Sequence, residues 1–143
     1  MRLTKEFLEK QCERLKIKNR VIFRQAQEDA KKIYEQMDVI VIPSKWEGLS
    51  LVAIEASLAG KPVVAFRTGG LSEVISHNET GLLAEPQNAK DLAYQIIDLL
   101  SDTKKAKRLA RNARARAKKM FDIKKMAIGY DRIYQQIYAS KTN

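Results

Sequence analysis

Two short runs of apolar, mostly β-branched residues constrain the fold of this 143-residue chain more than any other feature. They occupy positions 39–42 and 62–66, and neither alternates polar with apolar side chains. Runs of this kind are typical of strands that are covered on both faces, as in a parallel sheet. A helical pattern at 51–59 separates them and ends at Gly60, so we expect a helix to join two parallel strands.

The remaining pattern also alternates strands with helices. Further strands are predicted at 20–23 and 80–84, and further helices at 4–16, 30–37, 71–75 and 89–100, the last capped by Asn88. Its predicted apolar stripe is Ala89, Leu92, Ala93, Ile96, Ile97 and Leu100. Beyond it, two apolar lines at helical spacing predict long C-terminal helices. The first line is Ala106, Leu109, Ala110, Ala113, Ala117 and Met120, and the second is Met126, Tyr130, Ile133, Tyr134 and Ile137. The fold class is therefore α/β, a parallel, doubly wound (Rossmann-like) sheet flanked by helices in one domain.

Positive charge is concentrated in one segment of the chain. The formal net charge is +10, and residues 102–125 hold eleven Lys/Arg against two Asp. The preferred interpretation of 104–119 is a solvated helix face around an alanine-rich buried stripe. The alternative is contact with an anionic membrane surface. No nucleic acid is expected, because no aromatic residues interleave between 102 and 120 as stacking platforms would.

Cysteine and histidine usage gives little sign of special chemistry. Cys12 is the one cysteine, so no internal disulfide can form, and a reducing, cytoplasmic compartment is expected. His77 is the one histidine and lies in a predicted turn, where it is interpreted as a surface residue. No metal site is predicted, since no cysteine or second histidine accompanies it. No apolar run approaches the ~20 residues of a membrane span.

The segment 43–56, Pro-Ser-Lys-Trp-Glu-Gly-Leu-Ser-Leu-Val-Ala-Ile-Glu-Ala, follows a predicted strand and opens a helix. Ligands bind at this end of strands in such sheets. Gly48 allows close approach of the backbone, and the free N–H groups at 50–52 suit a phosphate. Glu47 and Glu55 lie to either side as acceptors for sugar hydroxyls. The order of carboxylate, phosphate site and carboxylate fits a ligand that has a sugar on each side of a phosphate group, as a nucleotide sugar does.

Two side chains in this segment have competing interpretations. Glu55 is predicted on the apolar side of its helix, with Leu51, Ile54 and Leu58, where a carboxylate requires a hydrogen-bonding partner. Trp46 either stacks on a ligand or packs over the loop, and the second is the preferred interpretation. Gly69 and Gly70 either form a turn or let the backbone approach the ligand, and these two alternatives are equally favoured.

The two glutamates, eight residues apart and spanning Gly-Leu-Ser-Leu-Val, resemble the signature of family 4 retaining glycosyltransferases of the GT-B fold. The flanking segments are similar as well: the apolar strand ending in Pro-Ser at 39–44, Ala-Gly-Lys-Pro-Val-Val-Ala at 59–65, Gly-Gly at 69–70 with Glu-Val-Ile at 73–75, and Gly-Leu-Leu at 81–83. The resemblance runs from about residue 21 to 100, and the terminal helices fit it more loosely.

The resemblance implies a site for a nucleoside-diphosphate sugar of UDP, GDP or ADP type, without a further cofactor. Glu47 would be the catalytic residue and bond the donor sugar's hydroxyls, and Glu55 would bond the ribose. The loop after the first strand, Arg24 to Glu28, would border the base. Arg24 stands where the family usually has Gly, and it would crowd the base or replace lost positive charge. The backbone that would hold sugar and diphosphate belongs to Gly48, Leu49, Ser50, Leu51 and Val52.

The resemblance also implies that parts are missing. The family's domain begins with two further strands, and an Arg and a Lys in this region neutralise the diphosphate. Residues 1–143 are therefore expected to form a partial nucleotide-sugar-binding domain that cannot complete transfer alone. The strands at 21–23 and 39–42 would flank a gap, so they pair directly in a rearranged sheet, or a second copy of the chain fills the space.

Two rival functions use the same residues. One is another reaction on this fold, such as sugar-nucleotide epimerisation, which the paired glutamates favour less. The other is a non-catalytic remnant or pairing subunit that binds another chain, such as the missing acceptor domain, or an anionic membrane surface. The predicted location is accordingly cytoplasmic or peripheral to the membrane.

Overall fold

The computed structural model describes residues 4–24 and 30–141, the last of these by its backbone alone. Within these residues the helices and strands follow in the order α1 (Lys5–Arg14), a 3-10 turn (Lys18–Arg20), α2 (Ala30–Glu35), β1 (Ile40–Ile42), α3 (Leu51–Leu58), β2 (Val63–Phe66), α4 (Leu71–Val74), β3 (Leu82–Ala84), α5 (Ala89–Ser101), α6 (Thr103–Met120) and α7 (Ile123–Lys141). Every predicted helix is present, and so are three of the four predicted strands.

The three strands form one parallel sheet in the order β1-β2-β3. All four residues of β2 are buried, as expected for a central strand covered on both faces. That expectation is wrong for β1, where Ile40 and Ile42 are buried but Val41 is 36% exposed. Because β1 lies at the edge of this sheet, the face that carries Val41 lacks the cover that β2 receives.

The strand predicted at 20–23 is absent. Residues Lys18–Arg20 form a 3-10 turn, the chain from 21 to 24 pairs with no strand of the sheet, and Ile22 is 80% exposed. A strand requires a neighbour for its backbone hydrogen bonds, and none lies beside this segment in the described part of the chain. Direct pairing between 21–23 and β1 is therefore wrong, and the supply of a strand by another chain stays a prediction.

Helices cover the two faces of the sheet. On one face, Ile40, Ile42, Val63 and Ala65 pack with residues of α3 and α4. On the other, Val64, Phe66, Leu82 and Ala84 pack with Leu92 and Leu99 of α5 and Leu109 of α6. The α5 stripe predicted from sequence is thus partly wrong: Leu99 is buried, whereas Ala93, Ile97 and Leu100 are exposed. The side of α5 that faces the sheet carries Leu92, Ile96 and Leu99, at spacings of four and three residues.

The helix α6 packs against both α5 and α3. Asp102 caps its amino end, and the Asp102 carboxylate accepts from the N–H of Lys105 at 2.9 Å. Its predicted apolar line is buried at Leu109, Ala110, Ala113 and Ala117 and ends before Met120, which is exposed. Because most of this stripe is alanine, α6 can approach its neighbours closely.

The helix α7 differs from α6 in that its apolar side chains are exposed. The predicted apolar line of Met126, Tyr130, Ile133, Tyr134 and Ile137 is present, and each of these residues is at least 49% exposed. No helix in residues 4–24 and 30–141 has the length and apolarity that crossing a bilayer requires.

Candidate functional site

The helix α3 begins after the loop that leaves the carboxyl end of β1, the end of the strands at which ligands bind in α/β folds. Ser50 caps α3, is 2% exposed, and accepts from the N–H of Ala53 at 3.4 Å. The N–H groups of Leu51 and Val52 have no acceptor among the described residues. With the positive end of the helix dipole, they form a place for an anion.

Glu47 is held just before this helix end. Its Oε1 accepts from the hydroxyl of Ser44 at 2.8 Å, and the side chain is half-buried. Its backbone carbonyl accepts from the N–H of Gly70 at 3.0 Å. Both ends of the residue are therefore fixed by neighbours, and three further lone-pair sites on the carboxylate stay open to a hydroxyl donor.

Glu55 lies one turn inside α3 and is exposed. Its Oε2 accepts from the hydroxyl of Tyr34 in α2 at 3.0 Å. Burial raises the pKa of Tyr34, and its hydrogen bond to Glu55 raises it further, so the phenol keeps its proton and remains a donor. This contact orients the Glu55 carboxylate. Sequence analysis missed it, because a single tyrosine 21 residues upstream leaves no local pattern.

The expected apolar surroundings of Glu55 are wrong for two of the three predicted residues. Ile54 is buried, but Leu51 and Leu58 are exposed, as is Glu55 itself. The buried side of α3 is instead made of Ala53, Ile54, Ala56 and Ser57. Small residues face the sheet and α6 because these neighbours lie close, so the larger leucines remain outside.

Gly69 and Gly70 pack against the backbone of the loop that carries Glu47. A Cβ at Gly69 would collide with the carbonyl oxygen of Glu47, and one at Gly70 with that of Gly48. Gly69 also has a φ of +47°. The hydroxyl of Thr68 donates to the carbonyl of Ser44 at 3.3 Å. The glycine pair therefore serves the close approach of two loops, and its contact with a ligand stays a prediction.

The tip of this loop is open. A Cβ placed at Gly48 would meet nothing within 4 Å, and Leu49 is exposed. Trp46 is 78% exposed, so the interpretation that it packs over the loop is wrong. Stacking of Trp46 on a ligand remains a prediction.

The structure does not bring every predicted site residue together. Arg24 is exposed at the end of the segment 21–24 and forms no hydrogen bond or ion pair with the described residues. The rest of the predicted base-bordering loop lies outside the described residues. The structure contains a groove of about 900 Å³ at the amino ends of the strands, beside Val39 and Pro62. Neither Glu47 nor Glu55 lines it, because both follow the carboxyl end of β1.

His77 has a structural role that sequence analysis missed. Its Nδ1 accepts from the N–H of Leu83 at 2.9 Å, and the ring is half-buried, so the interpretation as a surface residue is wrong. Burial lowers its pKa, and the charges of Arg67 and Lys105 lower it further. No three metal-ligating side chains come together in the part of the chain that the structure describes.

Comparison with known proteins identifies the family of the chain. The family model of glycosyl transferases group 1 matches residues 3–116. An N-acetyl-alpha-D-glucosaminyl L-malate synthase of Bacillus anthracis is 31% identical over 129 residues, which are 90% of this chain and 34% of that protein.

Solved structures show the same similarity. The sucrose-phosphate synthase of Thermosynechococcus elongatus superposes with a TM-score of 0.86 at 34% identity, over 94% of this chain and 34% of its own. Alr3699/HepE of Anabaena, solved in complex with UDP, superposes with a TM-score of 0.88 at 32% identity, over 92% of this chain and 36% of its own. The chain thus spans about a third of the length of these relatives. With four fifths of its residues matched by the family model, the chain belongs to the glycosyl transferases group 1 family.

Proposed function

We propose that residues 1–143 form part of the donor-binding domain of a family 4 retaining glycosyltransferase. One observation carries this proposal: the capped amino end of α3 presents the free N–H groups of Leu51 and Val52 between the carboxylates of Glu47 and Glu55. A diphosphate at the helix end would have a sugar on either side, each within reach of one acid.

Each residue of the site would contact a different part of the nucleotide sugar. Glu47, fixed by Ser44, would accept from the hydroxyls of the transferred sugar. The amides from Gly48 to Val52 would stabilise the diphosphate as it leaves, because fixed donors and the helix dipole need no reorganisation during reaction. Glu55 would accept from the ribose, and Tyr34 would hold its carboxylate in position.

The nucleotide is proposed to be UDP, because a relative of similar fold was solved in complex with UDP. GDP and ADP remain alternatives, since the described contacts involve no group that would read a base. Arg24 is proposed to border the base or to supply positive charge near the diphosphate.

Transfer to an acceptor hydroxyl, with retention, is proposed only for the complete architecture. The chain spans about a third of its relatives, and the site is open along the exposed residues Gly48, Leu49 and Trp46. A second wall would be needed to exclude water and to position an acceptor. The chain alone is proposed to bind the donor without transferring its sugar.

Calorimetry with UDP, GDP and ADP tests donor binding directly. Hydrogen bonds to charged groups contribute about 1.5–3 kcal/mol, so Glu55→Gln is expected to weaken nucleotide binding at least about tenfold. Glu79→Gln is the matched control, since it removes an exposed carboxylate from a turn away from α3 and should leave the affinity unchanged. No heat with any of the three nucleotides would refute the proposal.

The glycines separate binding from folding. Gly48→Ala introduces a methyl group into open space and should leave unfolding unchanged while weakening nucleotide binding. Gly70→Ala forces a collision with the carbonyl of Gly48 and should destabilise the fold as well. Equal nucleotide affinity of Gly48→Ala and the wild type would show that the ligand does not approach this backbone.

A second candidate is a pairing subunit, and the exposed apolar line of α7 with the uncovered Val41 of β1 favours it. A second copy, or a chain that supplies the rest of the relatives' length, would cover these surfaces. Light scattering across a concentration series tests the homodimer, and a constant monomer mass would exclude it.

Contact of 104–119 with an anionic membrane is the weaker proposal, because α6 turns its apolar stripe inward and offers a bilayer only charge.

A further inference from the structure

The two flanks of α6 use their basic side chains differently. On one flank, three side chains donate to backbone carbonyls of the chain that precedes β3 and of α4. Arg108 reaches the carbonyl of Asn78 at 3.4 Å, Asn112 that of Glu79 at 3.1 Å, and Arg116 that of Glu73 at 3.1 Å. This flank fastens α6 to the body of the domain.

The other flank carries Lys107, Arg111, Arg114 and Lys118. Their spacing of four, three and four residues places them along one side of the helix, over ~16 Å at ~1.5 Å per residue. Within residues 4–24 and 30–141, none of these four side chains has an ion pair or a hydrogen bond. Four neighbouring cations without ion-pair partners repel one another, so an anion that follows the row would lower its electrostatic free energy.

These four cations line a groove of about 900 Å³ at the amino ends of β1 and β2. Lys61 adds a fifth cation, and its Nζ is held by the carbonyl of Glu35 at 2.9 Å. Asp38 is the one carboxylate in the lining. The lining also includes the apolar residues Val39, Pro62, Leu99, Leu100, Ala106 and Ala110. The groove therefore combines a line of positive charge with apolar side chains.

We propose that this groove binds a linear polyanion with repeated phosphate groups. The cations form a row rather than a plane, so they can meet successive phosphates of one extended chain. Because they border a concave groove, a flat bilayer would reach fewer of them than a chain that enters it. The site lies at the opposite ends of the strands from Glu47 and Glu55, and the inference does not depend on the proposed donor site.

The test uses fluorescently labelled inorganic polyphosphate and two triple variants of equal net charge. The groove variant carries Lys107→Gln, Arg111→Gln and Lys118→Gln. The control carries Lys104→Gln, Lys119→Gln and Lys124→Gln, three exposed positions that do not line the groove. Fluorescence anisotropy is expected to show about tenfold weaker binding for the groove variant and no more than about twofold for the control.

The salt dependence supplies a second readout. Each phosphate contact contributes roughly 0.7 to the slope of log affinity against log salt for a flexible chain, so the groove variant should lose about 2 from that slope. Circular dichroism confirms that both variants fold.

Three results would overturn the proposal: equal weakening in both triple variants, an unchanged salt slope in the groove variant, or flotation with phosphatidylglycerol vesicles that depends on the groove cations while polyphosphate fails to bind. UDP binding should be the same in both variants and the wild type, which keeps this test separate from that of the donor site.

Discussion

The helices α6 and α7 are adjacent, of similar length and both amphipathic, yet they present opposite faces to solvent. α6 buries its apolar stripe of Leu109 and three alanines against α3 and α5. α7 exposes an apolar line that includes Tyr130, Ile133 and Ile137. Periodicity therefore predicts a helix and its apolar side, whereas the burial of that side depends on a partner that no local pattern contains.

Side-chain size distinguishes the two stripes. The alanines of α6 suit close contact with neighbours within this chain, and the tyrosines and isoleucines of α7 suit a larger and more distant surface. The structural neighbours cover 92–94% of this chain, so their superposition includes part of α7. The superposed part is 34–36% of each neighbour, so both neighbours are more than twice as long as this chain. Further polypeptide of that kind could cover the line on α7.

Truncation of a large side chain in each helix should give the widest difference. Leu109→Ala leaves a cavity at a residue that is 0% exposed and is expected to lower the free energy of unfolding by about 2–5 kcal/mol. Ile133→Ala in α7 should change it by less than about 0.5 kcal/mol. Urea unfolding measures both. A large loss for Ile133→Ala would mean that α7 is covered in solution.

Enlargement of an alanine gives a smaller difference. Ala113→Leu inserts volume where α6 meets its neighbours and should cost about 1–3 kcal/mol. Ala127→Leu, at an exposed position of α7, should leave stability near that of the wild type. The comparison would fail if thermal unfolding showed Ala113→Leu to be as stable as Ala127→Leu, because α6 would then be loosely packed.

Loss of a helix cap should have a moderate effect. Asp102→Ala removes the acceptor for the N–H of Lys105 and should lower the free energy of unfolding by about 0.5–2 kcal/mol. Asp122→Ala removes the acceptor for the N–H of Lys124 at the start of α7. Since α7 packs little against the body, the second change should increase local amide exchange without a measurable loss of global stability.

Acid should weaken the α6 side of the molecule slightly and leave α7 unaffected. His77 lies in the turn whose carbonyls α6 holds through Arg108 and Asn112, and its folded pKa is below 6.5. The unfolded chain therefore takes up the proton more readily, so stability is complete above about pH 6.5 and falls as pH decreases below it.

His77→Gln provides the control, since His77 is the one histidine in the sequence. Denaturant unfolding between about pH 5 and 6.5 should show a decline in the wild type and a flat profile in the variant. A decline of equal size in both proteins would assign the effect to carboxylates.

Much of the fold could be predicted because its signals are local. The continuous apolar run of β2, the cap at Asn88 and the terminating Gly60 with its φ of +73° each act within a few residues. The strand expected at 20–23 failed for a non-local reason. Its apolar residues suit a strand, but the hydrogen bonds of a strand come from a neighbour, and none lies beside it in the described residues.

The site shows the same division. The cap at Ser50 and the position of Glu47 before α3 follow from local pattern, and the structure confirms both. The partner of Glu55 could not be predicted, since Tyr34 reaches it across the packing of α2 on α3. Trp46 was misjudged because the presence of an aromatic ring in a loop does not indicate whether neighbours cover it.

The close contact of Gly70 with Gly48 has a consequence for sequence variation in this region. Gly70 has a φ of −67°, which every amino acid tolerates, so a substitution table built on backbone dihedral angles would accept alanine there. The space for its methyl group is already occupied by an oxygen of another loop. An insertion or substitution that moves the loop of Gly48 should therefore require a compensating change in the loop of Gly70, and the reverse. We expect the sequences of the two loops to vary together.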